Sequence, residues 1–383
     1  MRNLMTLKLI TKTTKHNFMK KTVILGLLVS CSFTGFAQSN YKESSNSFAM
    51  YMQSGDLKNL ESAKKFNDAG YQNKRDSTSA KVNVLRAMIY SAMAYADSSR
   101  TIKNPKDPID ITYHALGKLR ANDLQNYPAE MKYVKQNLAA AHISSANKAL
   151  GKKDYKTAYD NYIKVKELSI GNTDVIYNLA LLAVQSKQYK EAIGYYTTVI
   201  KDDDATATMY LELADVYRLS GDKHAQLRTL ETARSKFKDN KVVLMNLIQE
   251  LAHNNNYEAI VPIIDEAIKF EPENVELNYL AGYANETVGR IDIAKRYYQK
   301  TLQLSPNNYE ANLALGLIFL GDFLKNDTNV EAQYYAQNLL LKANEIRPYD
   351  VNALKSLSMY YEKAGDLAQL DRVKLLLNQL SNN

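Results

Sequence analysis

The chain is 383 residues long, 45% hydrophobic and 23% charged, a balance that excludes wholesale disorder at a length suited to two or three domains or one elongated array. Glycine (14) and proline (7) are scarce beside 28 tyrosines, which excludes collagen and favours helices over turn-rich β architectures. Of the formal charge of +8, six basic residues and no acid fall in residues 1–37; the rest carries 43 basic and 41 acidic residues, a net of +2 that gives no electrostatic case for nucleic acid.

At the start, Lys20 and Lys21 precede the apolar run Thr22 to Val29, which is too short to span a bilayer, and Gly35-Phe36-Ala37 offers a small-x-small cleavage site before Gln38. Residues 1–37 are therefore expected to be a signal peptide. Met19 is a second start, which would make residues 1–18 an upstream extension. Cys31 is the only cysteine, and Leu28-Val29-Ser30-Cys31 resembles a bacterial lipobox, so lipidation at Cys31 stands beside cleavage after Ala37. Either route exports the protein, to the periplasm or, if lipidated, to the outer membrane. Under the second cleavage the mature chain has no disulfide, thiol nucleophile or thiolate metal site. Membrane association is expected only through the N-terminal lipid.

Residues 38–138 read as divergent helical hairpins. Ser47 to Asn67 form one, turning at Ser54-Gly55-Asp56; Ala80 to Ser99 and Ile109 to Leu124 form another. Tyr127-Pro128 breaks the chain, and Ala129 to Leu150 read as one long helix. A separate N-terminal helical domain is the alternative.

From Ala139 the sequence repeats every 34 residues, with starts at Ala139, Thr173, Ala207, Lys241, Val275 and Tyr309, and a seventh, Val351, eight residues late. Position 8 is mostly small (Ala146, Ala180, Ala214, Gly282, Gly316), as are positions 20 (Ala158, Ala192, Ala294) and 27 (Ala233, Ala267), while position 24 is bulky (Tyr162, Tyr196, Leu230, Ile264, Tyr298). Small residues facing bulky ones at helical offsets let two antiparallel helices approach closely, so each unit is expected to be a helical hairpin. Glycine at position 15 (Gly221, Gly289, Gly365) ends the first helix, and Pro272, Pro306 and Pro348 end the second.

This pattern resembles the tetratricopeptide repeat over Ala139 to Asn383. The resemblance implies an all-α fold, a right-handed α-solenoid of stacked antiparallel hairpins, with residues 139–383 forming seven units. Departures are Gln226 and Leu370 at position 20, the absence of tryptophan at position 4, and Lys374 at position 24 of the last unit, whose outer face no neighbour covers. Pro306 to Pro348 spans 42 residues where 34 is expected, which places an insertion near residues 322–330. The helix before it, Ala311 to Lys325, is more apolar than one hairpin contact requires, so something is expected to cover it.

Chemistry finds little support. His114, His142, His224 and His253 lie far apart and at unmatched repeat positions, and no metal-ligand or nucleophile spacing occurs. Lys201-Asp202-Asp203-Asp204 lacks the glycine and distal glutamate of a calcium loop and reads as caps and solvated charge. No catalytic residue, metal or cofactor is expected.

What remains is surface. In the family that the pattern resembles, positions 2, 5, 9 and 12 of the first helix line a groove that holds a peptide or protein, which here yields Tyr279, Tyr283, Leu313, Leu317 and Leu320 as the expected partner-binding patch. The alternative is that these side chains pack within the array. The family's dicarboxylate clamp is not expected: Asn147 and Asn178 suit it, but Ile143 and Thr208 stand where basic residues should be. The reading is a non-catalytic protein–protein interaction scaffold; the alternatives are an outer-membrane lipoprotein assembly or secretion factor anchored through Cys31, and an enzyme with Asp97, Asp107 and Asp110 converging in the N-terminal region. A cytoplasmic regulatory repeat protein would require residues 1–37 to be retained.

Overall fold

The computed structural model describes residues 36–168 and 173–381, so most of the expected leader, including Cys31, lies outside the described residues. Every described element is a helix, and the helices fall into two compact units divided at Asp222–Lys223, inside the third sequence repeat.

The first unit opens with the hairpin α1 (Phe36–Ser54) and α2 (Leu57–Tyr71), turned through Gly55 at φ +71° and capped by Asp56, whose side chain accepts from the Lys58 N–H. After the one-turn α3 (Lys74–Ser77) come α4 (Ala80–Ala96), α5 (Pro108–Leu116), the short α6 (Ala121–Asn126) and the long α7 (Pro128–Gly151). α4 is buried on nearly all sides, as its apolar circumference requires, and packs against α2, α5 and α7. Its Arg86 is held between the rings of Tyr71 and Tyr90 at 4.1 and 4.7 Å and pairs with Asp68 at 2.7 Å. α7, in which the first repeat begins at Ala139, joins the divergent helices to the repeats and packs against α8 (Tyr155–Glu167); α9 (Thr173–Gln185), α10 (Tyr189–Val199) and α11 (Ala207–Ser220) complete the unit in series.

The second unit runs α12 (Lys223–Lys236), α13 (Lys241–His253), α14 (Tyr257–Phe270), α15 (Val275–Thr287), α16 (Ile291–Leu304), α17 (Tyr309–Lys325), α18 (Val330–Ile346), α19 (Val351–Ala364) and α20 (Leu367–Ser381), each packed on the next. Within both units the small-to-large pairing is physical. Tyr162, Tyr196 and Tyr298 are fully buried, and a Cβ placed on Gly282 would fall 2.6 Å from the Tyr298 ring, so nothing larger than glycine fits there without movement. Gly316 plays the same part against Leu340, at 3.0 Å.

The turn between the two helices of a unit has one geometry in every repeat except the sixth, whose turn starts from an extended Asn326 (φ −141°). Position 15 is left-handed not only at Gly221, Gly289 and Gly365 (φ +74° to +85°) but also at Lys153, Lys187 and Asn255 (φ +55° to +60°). In each, the next N–H donates to a carbonyl five residues back, such as Asp154 to Ala149 and Arg290 to Asn285, at 2.8–3.0 Å, the bonding of a Schellman cap. Between units, Asn240, Asn274 and Asn308 cap the following helix through the N–H three residues on, at 2.8–3.0 Å. The missing position-4 tryptophan is replaced in two units by buried Asn278 and Asn312, which donate to the carbonyls of Pro272 and Pro306 at 3.1 and 3.0 Å and so hold the preceding loop. The departure at position 20 also has a partner: Gln226 donates to buried Glu250 at 2.6 Å.

In the sixth hairpin the extra residues near 322–330 go mainly into the helices: α17 and α18 are both 17 residues long where α15 and α16 are 13 and 14, and the turn between them is Asn326 to Asn329. The excess apolar surface of α17 is covered by the chain itself. Phe323 packs against Tyr360 of α19 at 5.6 Å between centroids, and Phe319 stacks on Tyr335 of α18 at 5.0 Å with the Lys295 ammonium over it at 4.7 Å.

Candidate functional site

In α15 the inward side is carried by Leu277, Asn278, Ala281, Gly282, Ala284 and Asn285, which leaves Glu276, Tyr279, Tyr283 and Glu286 on another side of the helix. Tyr279 and Tyr283, one turn apart, stack at 6.3 Å with 20° between planes; Tyr279 is half-buried and Tyr283 is 39% exposed. Below them Tyr298, fully buried, tilts against Tyr279 at 5.7 Å and donates to Glu286 at 2.5 Å. Burial pushes the Tyr279 phenol up to about 12, with Glu310, Tyr283 and Glu286 acting in the same direction.

In α17, Leu313 is half-buried against the same apolar cluster as Tyr279, and Leu317 is 42% exposed. Leu320 is a correction to the expected patch: it is only 2% exposed, because the lengthened α17 packs on both α18 and α19, and it belongs to the core. One ring was absent from the expected patch. Tyr257, at the start of α14, meets Tyr283 edge-on at 4.9 Å and 83°; it lies at position 17, outside the groove positions, and only the packing of α14 on α15 brings it there.

The other candidates have structural employment. Asn178 donates to the Asp174 carbonyl and Asn147 accepts from the Tyr162 hydroxyl at 3.3 Å. Asp97 is buried and accepts from the Thr101 and Ile102 N–H groups at 2.8 Å each; burial alone would raise its carboxyl, and these bonds win and hold it below the usual range. Asp107 caps α5 and pairs with Arg100, while Asp110 stands exposed in the first turn of α5. His142 is buried, with Nδ1 against Asn161 Oδ1 at 2.9 Å and Nε2 against the Tyr113 hydroxyl at 3.1 Å; His114, His224 and His253 are exposed on other helices. Asn161 spends its amide on the Thr157 carbonyl, so Nδ1 carries the proton and Nε2 accepts, which suits a neutral ring. Asp202 accepts from the Thr173 hydroxyl and the Asp204 N–H, as a turn-forming aspartate does. Among the described residues no group of three or more His, Cys, Asp or Glu gathers as metal ligands do, and no helix is long and apolar enough to cross a membrane.

Comparison with known proteins agrees with the repeat pattern. Family models described as tetratricopeptide repeat match residues 177–241 and 275–308. A TPR repeat-containing protein of Pseudomonas aeruginosa is 26% identical over 197 residues, 51% of this chain; the chain spans about a third (32%) of that relative's length. Among solved structures, a crystal structure of MamA protein is 18% identical, with a TM-score of 0.37 over 45% of this chain and 93% of that one. YrrB, described as a TPR protein with an unusual peptide-binding site, is 17% identical, with a TM-score of 0.36 over 45% and 89%.

Proposed function

We propose that this chain, which carries tetratricopeptide repeats, is a non-catalytic scaffold that docks a protein or peptide on the α15–α17 face of its second unit. The observation that carries the reading is the exposure of Tyr283 and Leu317 outside the small-to-large packing set, on helices whose other apolar residues are buried or half-buried. Exposed aromatic and aliphatic groups beside fully packed ones are the anchors from which such interfaces take most of their affinity. The capture is rigid docking, and no covalent step enters it.

The basic, apolar and small-residue order of residues 1–37 supports export, and Leu28-Val29-Ser30-Cys31 supports a second reading, an outer-membrane assembly or secretion factor held by a lipid on Cys31. Mass spectrometry of the mature N-terminus separates the two: an acylated Cys31 establishes the lipoprotein, and Gln38 as first residue excludes it.

The docking face is tested in cells with photo-crosslinking residues at positions 283 and 317 and, for comparison, at the exposed Lys300 of α16. One protein partner crosslinked from 283 and 317 and not from 300, and lost when Tyr283→Ala is combined with Leu317→Ala at unchanged helical content, is the expected result. Equal labelling from all three positions refutes the reading.

A further inference from the structure

The same face carries a chemical signature beyond its apolar anchors. Tyr257, Tyr279 and Tyr283 form a contiguous group of rings, two nearly parallel and one perpendicular, all at least partly exposed. Acidic groups surround it. Glu276 is exposed one turn before Tyr279, Glu286 lies three residues beyond Tyr283, and Glu310 at the start of α17 is near enough to act on the Tyr279 phenol. Glu310 is already matched by Arg347 at 2.7 Å, and that guanidinium is occupied over the Tyr309 ring at 4.0 Å.

Elsewhere the chain covers several of its aromatic faces with its own cations: Arg86 over Tyr71 and Tyr90, Lys81 over Tyr41, Lys166 over Tyr195, Lys295 over Phe319 and Arg347 over Tyr309. Among the described residues no lysine or arginine lies over Tyr257, Tyr279 or Tyr283, although this group has carboxylates on two sides. Ring faces are negative, and flanking carboxylates deepen that potential, so the group attracts a cation that the chain itself does not supply.

We infer that Tyr257, Tyr279 and Tyr283 form a cation-accepting site within the docking face, and that its occupant is an arginine side chain in an extended segment of the partner protein. This rests on the docking reading and adds the charge of the partner to it. Arginine fits better than lysine because its guanidinium is planar and weakly hydrated, able to lie on one ring while its edge donates to Glu276 or Glu286. The apolar neighbours Leu313 and Leu317 then take aliphatic residues of the same segment.

The test uses fluorescence anisotropy with a fluorescein-labelled Gly-Leu-Arg-Leu-Arg-Leu-Gly peptide and the same peptide carrying citrulline, which keeps the shape and removes the charge. The citrulline peptide should bind about tenfold more weakly, the scale of a partly desolvated cation–π contact. Tyr283→Phe should keep that preference, because the ring face carries the attraction; Tyr283→Leu and Glu276→Gln should each shrink it several-fold, with helical content checked by circular dichroism. Equal binding of both peptides, each weakened by Leu317→Ala, would overturn the cation site and leave the docking face standing. Binding of neither at millimolar concentration would also overturn it, and crosslinking from positions 283 and 317 then decides whether the docking face survives.

Discussion

Gly282→Ala isolates the contact on which the hairpin packing depends. The added methyl would sit 2.6 and 2.7 Å from Tyr298 Cδ1 and Cε1, where carbon atoms need about 3.5–4.0 Å, so the ring or the helix must yield by about 1 Å. Tyr298 has nowhere to go: it is fully buried, its hydroxyl donates to Glu286 at 2.5 Å, and Tyr279 lies against its face at 5.7 Å. Overpacking of this kind costs about 1–3 kcal/mol. Alanine in a helix interior recovers about 0.5–1 kcal/mol relative to glycine. Gly321→Ala in α17, where nothing lies within 4 Å, receives the second effect without the first. Urea unfolding followed by far-ultraviolet circular dichroism should therefore show Gly321→Ala stabilised and Gly282→Ala destabilised, about 1–3 kcal/mol apart. Equal stabilisation of both variants would refute the small-to-large packing argument, since the two sites differ chiefly in the facing ring.

Lys187→Gly, which relieves a side chain held at φ +58°, should raise the thermal midpoint and stabilise by about 1 kcal/mol, while Gly365→Ala at φ +74° should destabilise by a similar amount; opposite signs would remove the left-handed turn as their cause. Gln226→Ala should cost about 1–3 kcal/mol in urea unfolding by depriving buried Glu250 of a donor, and Gln226→Ala with Glu250→Leu should recover much of it. Burial holds the His142 imidazole below its ordinary range, with Lys164 acting the same way against the Asn161 bond, Asp107 and Glu167. The unfolded chain therefore takes up this proton first as pH falls through about 6.5, and the stability tied to the neutral ring, present above that pH, is lost below it. The urea midpoint should fall more between pH 7.5 and 5.5 in the unaltered protein than in His142→Gln, and parallel profiles would contradict the assignment.

The parts legible in the sequence are those where side-chain size or backbone freedom is itself the constraint. Gly282 opposite Tyr298 announces itself because no larger residue fits without movement, and the glycine turns because glycine adopts positive φ at the least cost. The left-handed turns at Lys153 and Lys187 were hidden, since a lysine can be forced to positive φ when the surrounding cap bonds over-determine it, and its identity records nothing of that. Gln226 looked like a defect in the small-residue pattern and is instead half of a buried pair whose other half lies 24 residues away. Repeat positions alone place Tyr279, Tyr283 and Leu317 on the outward side of their helices, while Leu320 is buried, because those positions do not reveal that α17 outgrows its neighbours. Tyr257 is invisible to position counting, as it reaches Tyr283 from a different helix.

The way the sixth hairpin grew constrains how such arrays can change. Of its eight additional residues, four lengthen α17, three lengthen α18 and one widens the turn, so each helix gains close to the 3.6 residues of a full rotation. A gain of two would turn the point where the chain leaves α17 through about 200°, aiming the turn away from the start of α18. Hairpin length in this protein is therefore quantised: insertions survive when they add whole rotations to both arms together, and homologous chains should differ at this point by about eight residues or none.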